Sequence, residues 1–181
     1  FALPHAPERA QHELLLQTAL GSALITTKGE ASPEVEQAYA RARELCQQVE
    51  DVPRLFPALW GLRLFYAVQG ELHTARELGE QLLTLAQRVQ DPLLLVGAHQ
   101  GLGTVLFEYG EFLPAQAHLQ QGITLSHQLQ RRHPSLYIRD PGTVCHAFAA
   151  LTLWCLGYPE QAWQHAREAL RLAQEQADPF N

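Results

Sequence analysis

A short phrase recurs three times in this chain: a glycine, four residues, then an alanine that opens a helical pattern. Gly70 leads to Ala75, Gly110 to Ala115 and Gly157 to Ala162. The first two copies lie forty residues apart, and the third follows after forty-seven. A repeat of this size marks stacked helical units, because one such unit cannot bury its apolar face alone. The phrase therefore constrains the fold more tightly than any other feature. It also directs the search for function toward a surface that holds something.

Prolines and glycines separate long stretches of helix formers. A first helix fits Ala6 to Thr27, broken by Lys28-Gly29-Glu30, and Ser32-Pro33 reads as a cap with proline at the first helical position. Val35, Ala38, Ala42, Leu45 and Val49 form one stripe on the second helix. The segment holding Leu59, Trp60, Leu62, Leu64 and Tyr66 is apolar on more than one side, as expected of a helix covered on both flanks. Asp91-Pro92 and Asp140-Pro141 open later pairs in the same way. No β-rich alternation appears. The expectation is an all-α fold of eight helices in four hairpins, spanning about 6–50, 53–90, 92–130 and 140–177, within a single domain over 1–181.

The small residues have a packing reason. Two helices joined by a tight turn approach closely only if a side chain at the crossing is no larger than a methyl group. Ala75, Ala115 and Ala162 occupy that position, while Gly70, Gly110 and Gly157 suit the positive φ of a helix C-terminus.

Composition excludes several function classes. The formal net charge is −6 and Lys28 is the single lysine, which argues against a nucleic-acid partner. No apolar run approaches the length of a membrane span. The three cysteines, Cys46, Cys145 and Cys155, are widely spaced within apolar helical patterns and read as buried thiols of a reducing, cytoplasmic compartment. A chain that starts with Phe and contains no Met reads as a piece of something longer.

The spacing of large residues before the key alanine resembles a tetratricopeptide (TPR) repeat. Leu59, Leu62 and Tyr66 precede Ala75 as that family expects, and His99, Leu102 and Leu106 precede Ala115. His146, Ala149 and Leu153 precede Ala162 as a weaker match. The last forty-five residues or so, with Tyr137-x-x-Asp140-Pro141-Gly142 and Leu153-Trp154-x-Leu156-Gly157-Tyr158-Pro159, are similar to bacterial multidomain signalling proteins. Those proteins join a nucleotide cyclase or kinase to a STAND-type ATPase and a helical repeat region. The resemblance implies a right-handed α-α superhelix, or solenoid, of about four hairpins that serves as a non-catalytic interaction or regulatory scaffold. A ligand- or peptide-sensing domain holding an effector inside the superhelix is the alternative.

Catalytic, cofactor and metal sites are not expected. No Walker-type phosphate loop or paired-Asp site is present, and Gly101-Leu102-Gly103 lacks the strand and third glycine of a dinucleotide fingerprint. The nine histidines show neither His-Glu-x-x-His nor an i, i+4 pair, and read as scattered over surfaces and helix flanks. Cys145 beside His146 reads as a structural thiol, because helix neighbours point to different faces.

Two candidate surfaces remain. Family groove positions carried onto this chain give Trp60, Leu64, Ala67 and Val68, then Gln100, Thr104, Phe107 and Glu108, then Ala147, Leu151, Trp154 and Cys155. A groove lined by Trp60, Phe107 and Trp154 suits a protein or peptide segment, including another domain of a parent chain; inter-repeat core is the competing role for these aromatics. In the sensing alternative Trp60, Arg63 and Phe107 line a closed pocket. Arg131, Arg132 and Arg139 form a basic connection suited to an anionic partner, or to capping helix C-termini. Uncapped ends lead to an expectation of self-association.

Overall fold

The computed structural model describes residues 6–49, 52–129 and 140–177. Among them are eight helices and no strand: α1 (Ala6–Lys28), α2 (Pro33–Val49), α3 (Val52–Val68), α4 (Leu72–Val89), α5 (Pro92–Glu108), α6 (Phe112–Gln128), α7 (Pro141–Cys155) and α8 (Pro159–Ala177). They fall into two compact units, Phe1–Val89 with α1–α4 and Gln90–Asn181 with α5–α8.

The recurring phrase is a turn in which one residue serves two helices. Gly70, Gly110 and Gly157 have φ of 79°, 79° and 85°, a region closed to most side chains. The next residue donates its N–H back to the helix just ended: Glu71 to Tyr66, Glu111 to Leu106 and Tyr158 to Leu153, each at 2.9 Å. The same residue's carbonyl accepts from the key alanine, at 3.0 Å in all three turns. The glycine thus closes one helix while its neighbour starts the next. Ala75 and Ala115 are completely buried, and Ala162 nearly so.

In the first unit α2 packs against α1 and α3, and α3 also packs against α4. α3 buries Phe56, Ala58, Leu59, Leu62 and Phe65, as a helix covered on both flanks must. α4 needs only one apolar face, and buries Ala75, Leu78, Gly79, Leu82, Leu85 and Ala86. The Tyr39 ring lies between two glycines: a methyl group at Gly21 would come within 2.6 Å of it, and one at Gly61 within 2.2 Å. Its hydroxyl lies 3.2 Å from that of Ser22. Tyr66 adds a cross-helix tie, donating to Glu36 at 2.7 Å.

In the second unit α5 packs against α6 and α7, and α7 packs against α6 and α8. Asp91 caps α5 by accepting from the backbone of Leu93 and Leu94, and Asp140 caps α7 by accepting from Thr143. Leu119, Ile123, Cys145 and Ala149 form one core cluster. Gly122 lets α7 approach, since a methyl group there would lie 2.6 Å from the Cys145 sulfur. Cys46 and Cys145 are buried, but Cys155 is exposed. The expectation of three buried thiols thus fails at Cys155, which lies on the outer side of α7's last turn.

Gly61→Ala should destabilise the first unit by about 1–3 kcal/mol, because the ring it meets is enclosed on its other side by Gly21. Ala115→Leu should cost a similar amount in the second unit. Both are read as a fall in the urea midpoint, against an exposed control such as Gln120→Ala.

Candidate interaction surface

α5 carries the most enclosed of the groove stripes inferred from sequence. Gln100 and Thr104 are buried, and the Thr104 hydroxyl donates to the Gly101 carbonyl at 2.9 Å. Phe107 is half-buried, meeting Phe148 of α7 edge-on at 5.6 Å and Phe112 of α6 at 5.7 Å. Glu108, one residue on, is exposed. Of the residues expected to line a groove, Gln100 and Thr104 are thus buried, and Phe107 is half-buried against Phe148 of α7.

α7 repeats the stripe forty-seven residues later with the opposite outcome. Leu151 takes the register of Thr104, Trp154 that of Phe107 and Cys155 that of Glu108. Leu151 is 51% exposed and Trp154 69% exposed, so the core role weighed for Trp154 does not apply. On α8, Leu170 takes the register of Ile123 and is 60% exposed, whereas Ile123 packs with Cys145 and Ala149 of α7. The positions through which α5 and α6 receive α7 are thus repeated on α7 and α8, still apolar, and among the described residues they are uncovered.

The first unit presents a third version. Trp60 is half-buried, with Phe56 parallel to it at 6.4 Å and the Arg63 guanidinium 4.5 Å above its ring. Arg63 is buried, so this cation–π contact works with little solvent competition. Leu64 and Ala67 are half-buried and Val68 is exposed. Arg131, Arg132 and Arg139 lie outside the described residues.

Four histidines are not scattered. His99 of α5 and His118 of α6 bring their Nδ1 atoms within 3.1 Å, and His146 of α7 and His165 of α8 do so at 3.0 Å. His127 stacks on His146 at 5.7 Å. Burial pushes His99 down to about 4, with His118 adding to the effect, and pushes His146 down to about 4, with His165 and His127 adding. Burial also lowers His118 and His165. Sequence reasoning missed these pairs because it looked for partners one helical turn apart. The legible signal was their spacing: nineteen residues within each pair, and the same forty-seven between pairs that separates Gly110 from Gly157.

Burial raises the Cys145 thiol far above its ordinary range, leaving no thiolate at neutral pH. Among the described residues, no group of three or more His, Cys, Asp or Glu side chains is placed to hold a metal ion. No described helix is long and apolar enough to cross a membrane.

Trp154→Ala should leave stability within about 0.5 kcal/mol of wild type, as an exposed position predicts. Phe107→Ala should lower it by about 2–3 kcal/mol, since it removes the α5–α7 aromatic contact. Equal effects in denaturant unfolding would contradict the opposite burial of these two register-equivalent residues.

No known protein-family profile matches the chain, and no curated protein matches it significantly. Solved structures do resemble it. The apo form of RapI matches with a TM-score of 0.75 and 14% identity, covering 92% of this chain and 58% of RapI. NprR, in complex with its cognate peptide NprX, matches with a TM-score of 0.73 and 18% identity over 94% of this chain and 47% of NprR. A kinesin light chain-like protein of Podosopora anserina with nearly identical TPR-like repeats gives 0.56 and 16% over 97% and 100%. The chain thus spans about half the length of RapI and NprR. At these identities the likeness concerns fold, and the fold is an all-α, TPR-like helical repeat.

Proposed function

We propose that this chain is a non-catalytic scaffold that binds a segment of another protein, and that the open face of α7 and α8 receives an amphipathic helix. The observation carrying this reading is the register equivalence of Leu151, Trp154 and Leu170 with Thr104, Phe107 and Ile123. Phe107 meets Phe148 of α7, and Ile123 packs with Cys145 and Ala149 of the same helix. A face with the same spacing, more apolar and uncovered, suits a helix with an aromatic residue at the crossing. The likeness of the last forty-five or so residues to repeat regions of cyclase- or kinase-linked STAND ATPases supports a regulatory place within a larger bacterial, cytoplasmic signalling protein.

A labelled peptide with the sequence of residues 140–156 is a suitable probe, because α7 is the helix that α5 and α6 already hold. Fluorescence anisotropy should show saturable binding to the chain. Trp154→Ala should weaken it about tenfold or more, as expected for an aromatic anchor. Absence of binding, or binding unchanged by Trp154→Ala and Leu151→Ala, would overturn the assignment. Light scattering that shows concentration-dependent dimers lost in the same variants would place a second copy on this face.

A second reading is favoured by the likeness to NprR, whose solved complex contains its cognate peptide. Here an effector peptide would rest on Trp60 and Leu64 beside Arg63, and Trp60→Ala, not Trp154→Ala, would abolish binding.

A further inference from the structure

We propose that the two histidine pairs, His99 with His118 and His146 with His165, are proton-sensitive clasps that hold the α5–α6 and α7–α8 hairpins closed. The inference does not depend on what the α7–α8 face binds. Its basis is geometric. In the first unit the same crossing position is filled by Leu59 and Leu78, both buried. In the second unit a directional Nδ1–Nδ1 contact replaces that leucine pair twice, at 3.1 and 3.0 Å. At this separation one Nδ1–H donates to a bare Nδ1, so each ring pair holds a single proton between its Nδ1 atoms.

The surroundings decide where an added proton goes. His146 Nε2 is buried without a hydrogen-bond partner. An orphaned buried N–H is rarer than an orphaned acceptor, so His146 carries its proton on Nδ1, donates to His165 and keeps Nε2 bare. A further proton can then go to His146 Nε2, where nothing accepts its N–H, or to His165 Nδ1, where two N–H groups would face each other. Either outcome is penalised, and the second breaks the clasp.

The charged groups around this pair do not offset that penalty. His127 of α6 stacks on His146, and Arg171 of α8 adds positive potential. Glu168 of α8 opposes them, but its carboxylate is already engaged by the Arg171 guanidinium at 2.6 and 2.9 Å. Around the other pair, Cys145 of α7 lies across Gly122 from His99 and stays protonated through its burial.

The sign follows from the lowered proton affinity of the folded rings. Unfolded histidines titrate near 6.5, whereas folded His99 and His146 titrate at about 4. The unfolded chain therefore binds more protons between these values. The stabilisation is complete above pH 6.5 and is lost as pH falls toward 4.

Urea unfolding of the full chain between pH 7.5 and 4.5 tests this. Stability should be flat above pH 6.5, and below it the folding equilibrium constant should fall about tenfold per pH unit for each linked histidine. The double variant His146→Leu/His165→Leu, which restores the leucine pairing of Leu59 and Leu78, should be less pH-dependent than wild type, while the exposed His73→Gln should not. Imidazole NMR of the wild type provides a readout that needs no variant: His99 and His146 should remain neutral at pH 5.5, a full unit below the ordinary value of about 6.5 for an unfolded histidine. Equal pH dependence in the leucine variant, or titration of His146 near the ordinary histidine value of about 6.5, would overturn the proposal.

Discussion

The hairpin depends on a backbone junction in which a single peptide unit belongs to two helices. Glu71, Glu111 and Tyr158 each give an N–H to the helix behind and a carbonyl to the alanine ahead. This arrangement satisfies groups that two separate helix ends would leave to solvent, and it fixes the angle between the helices. It works only if the preceding residue adopts positive φ, which is why glycine precedes it in all three turns. The angle then brings the next helix so close that only a methyl group fits at the crossing, and Ala75, Ala115 and Ala162 supply it.

Close approach within hairpins leads to close approach between them. Tyr39 fills the space between α1 and α3 because Gly21 and Gly61 lack side chains, and Cys145 reaches α6 because residue 122 is glycine. Such contacts are steric and short-ranged, so a single methylene is felt. One register can nevertheless carry different chemistry in different hairpins. The crossing position that holds Leu59 and Leu78 in one hairpin holds hydrogen-bonded histidines in the next two. Leucines there give non-directional packing, whereas histidines give a contact that depends on proton count.

The stripe on the first helix of each hairpin shows how packing assigns a role that residue type does not. Phe107 and Trp154 are both aromatic at the same register, yet one meets Phe148 and the other faces solvent. The difference lies in what covers them. α7 packs on α5, and among the described residues nothing packs in the same way on α7. Exposed Leu151, Trp154 and Leu170 therefore repeat, uncovered among the described residues, the register of Thr104, Phe107 and Ile123.

The sequence by itself determined the helices, their pairing and the turn geometry. These are local matters: the period, the turn glycines and the Asp-Pro caps act within a few residues of one another, so they are visible in one dimension. Helix bounds deviated little from the expected ranges for the same reason. Only the tertiary structure decided that Gln100 and Thr104 are inside, that Phe107 is half-buried against Phe148, that Trp154 and Cys155 are outside, and that four histidines meet in pairs. Each of these outcomes depends on which helix lies against which face, and on partners nineteen residues or more apart. Their chemistry is set by distance and desolvation, which arise when the helices pack and are not written in the residue types alone.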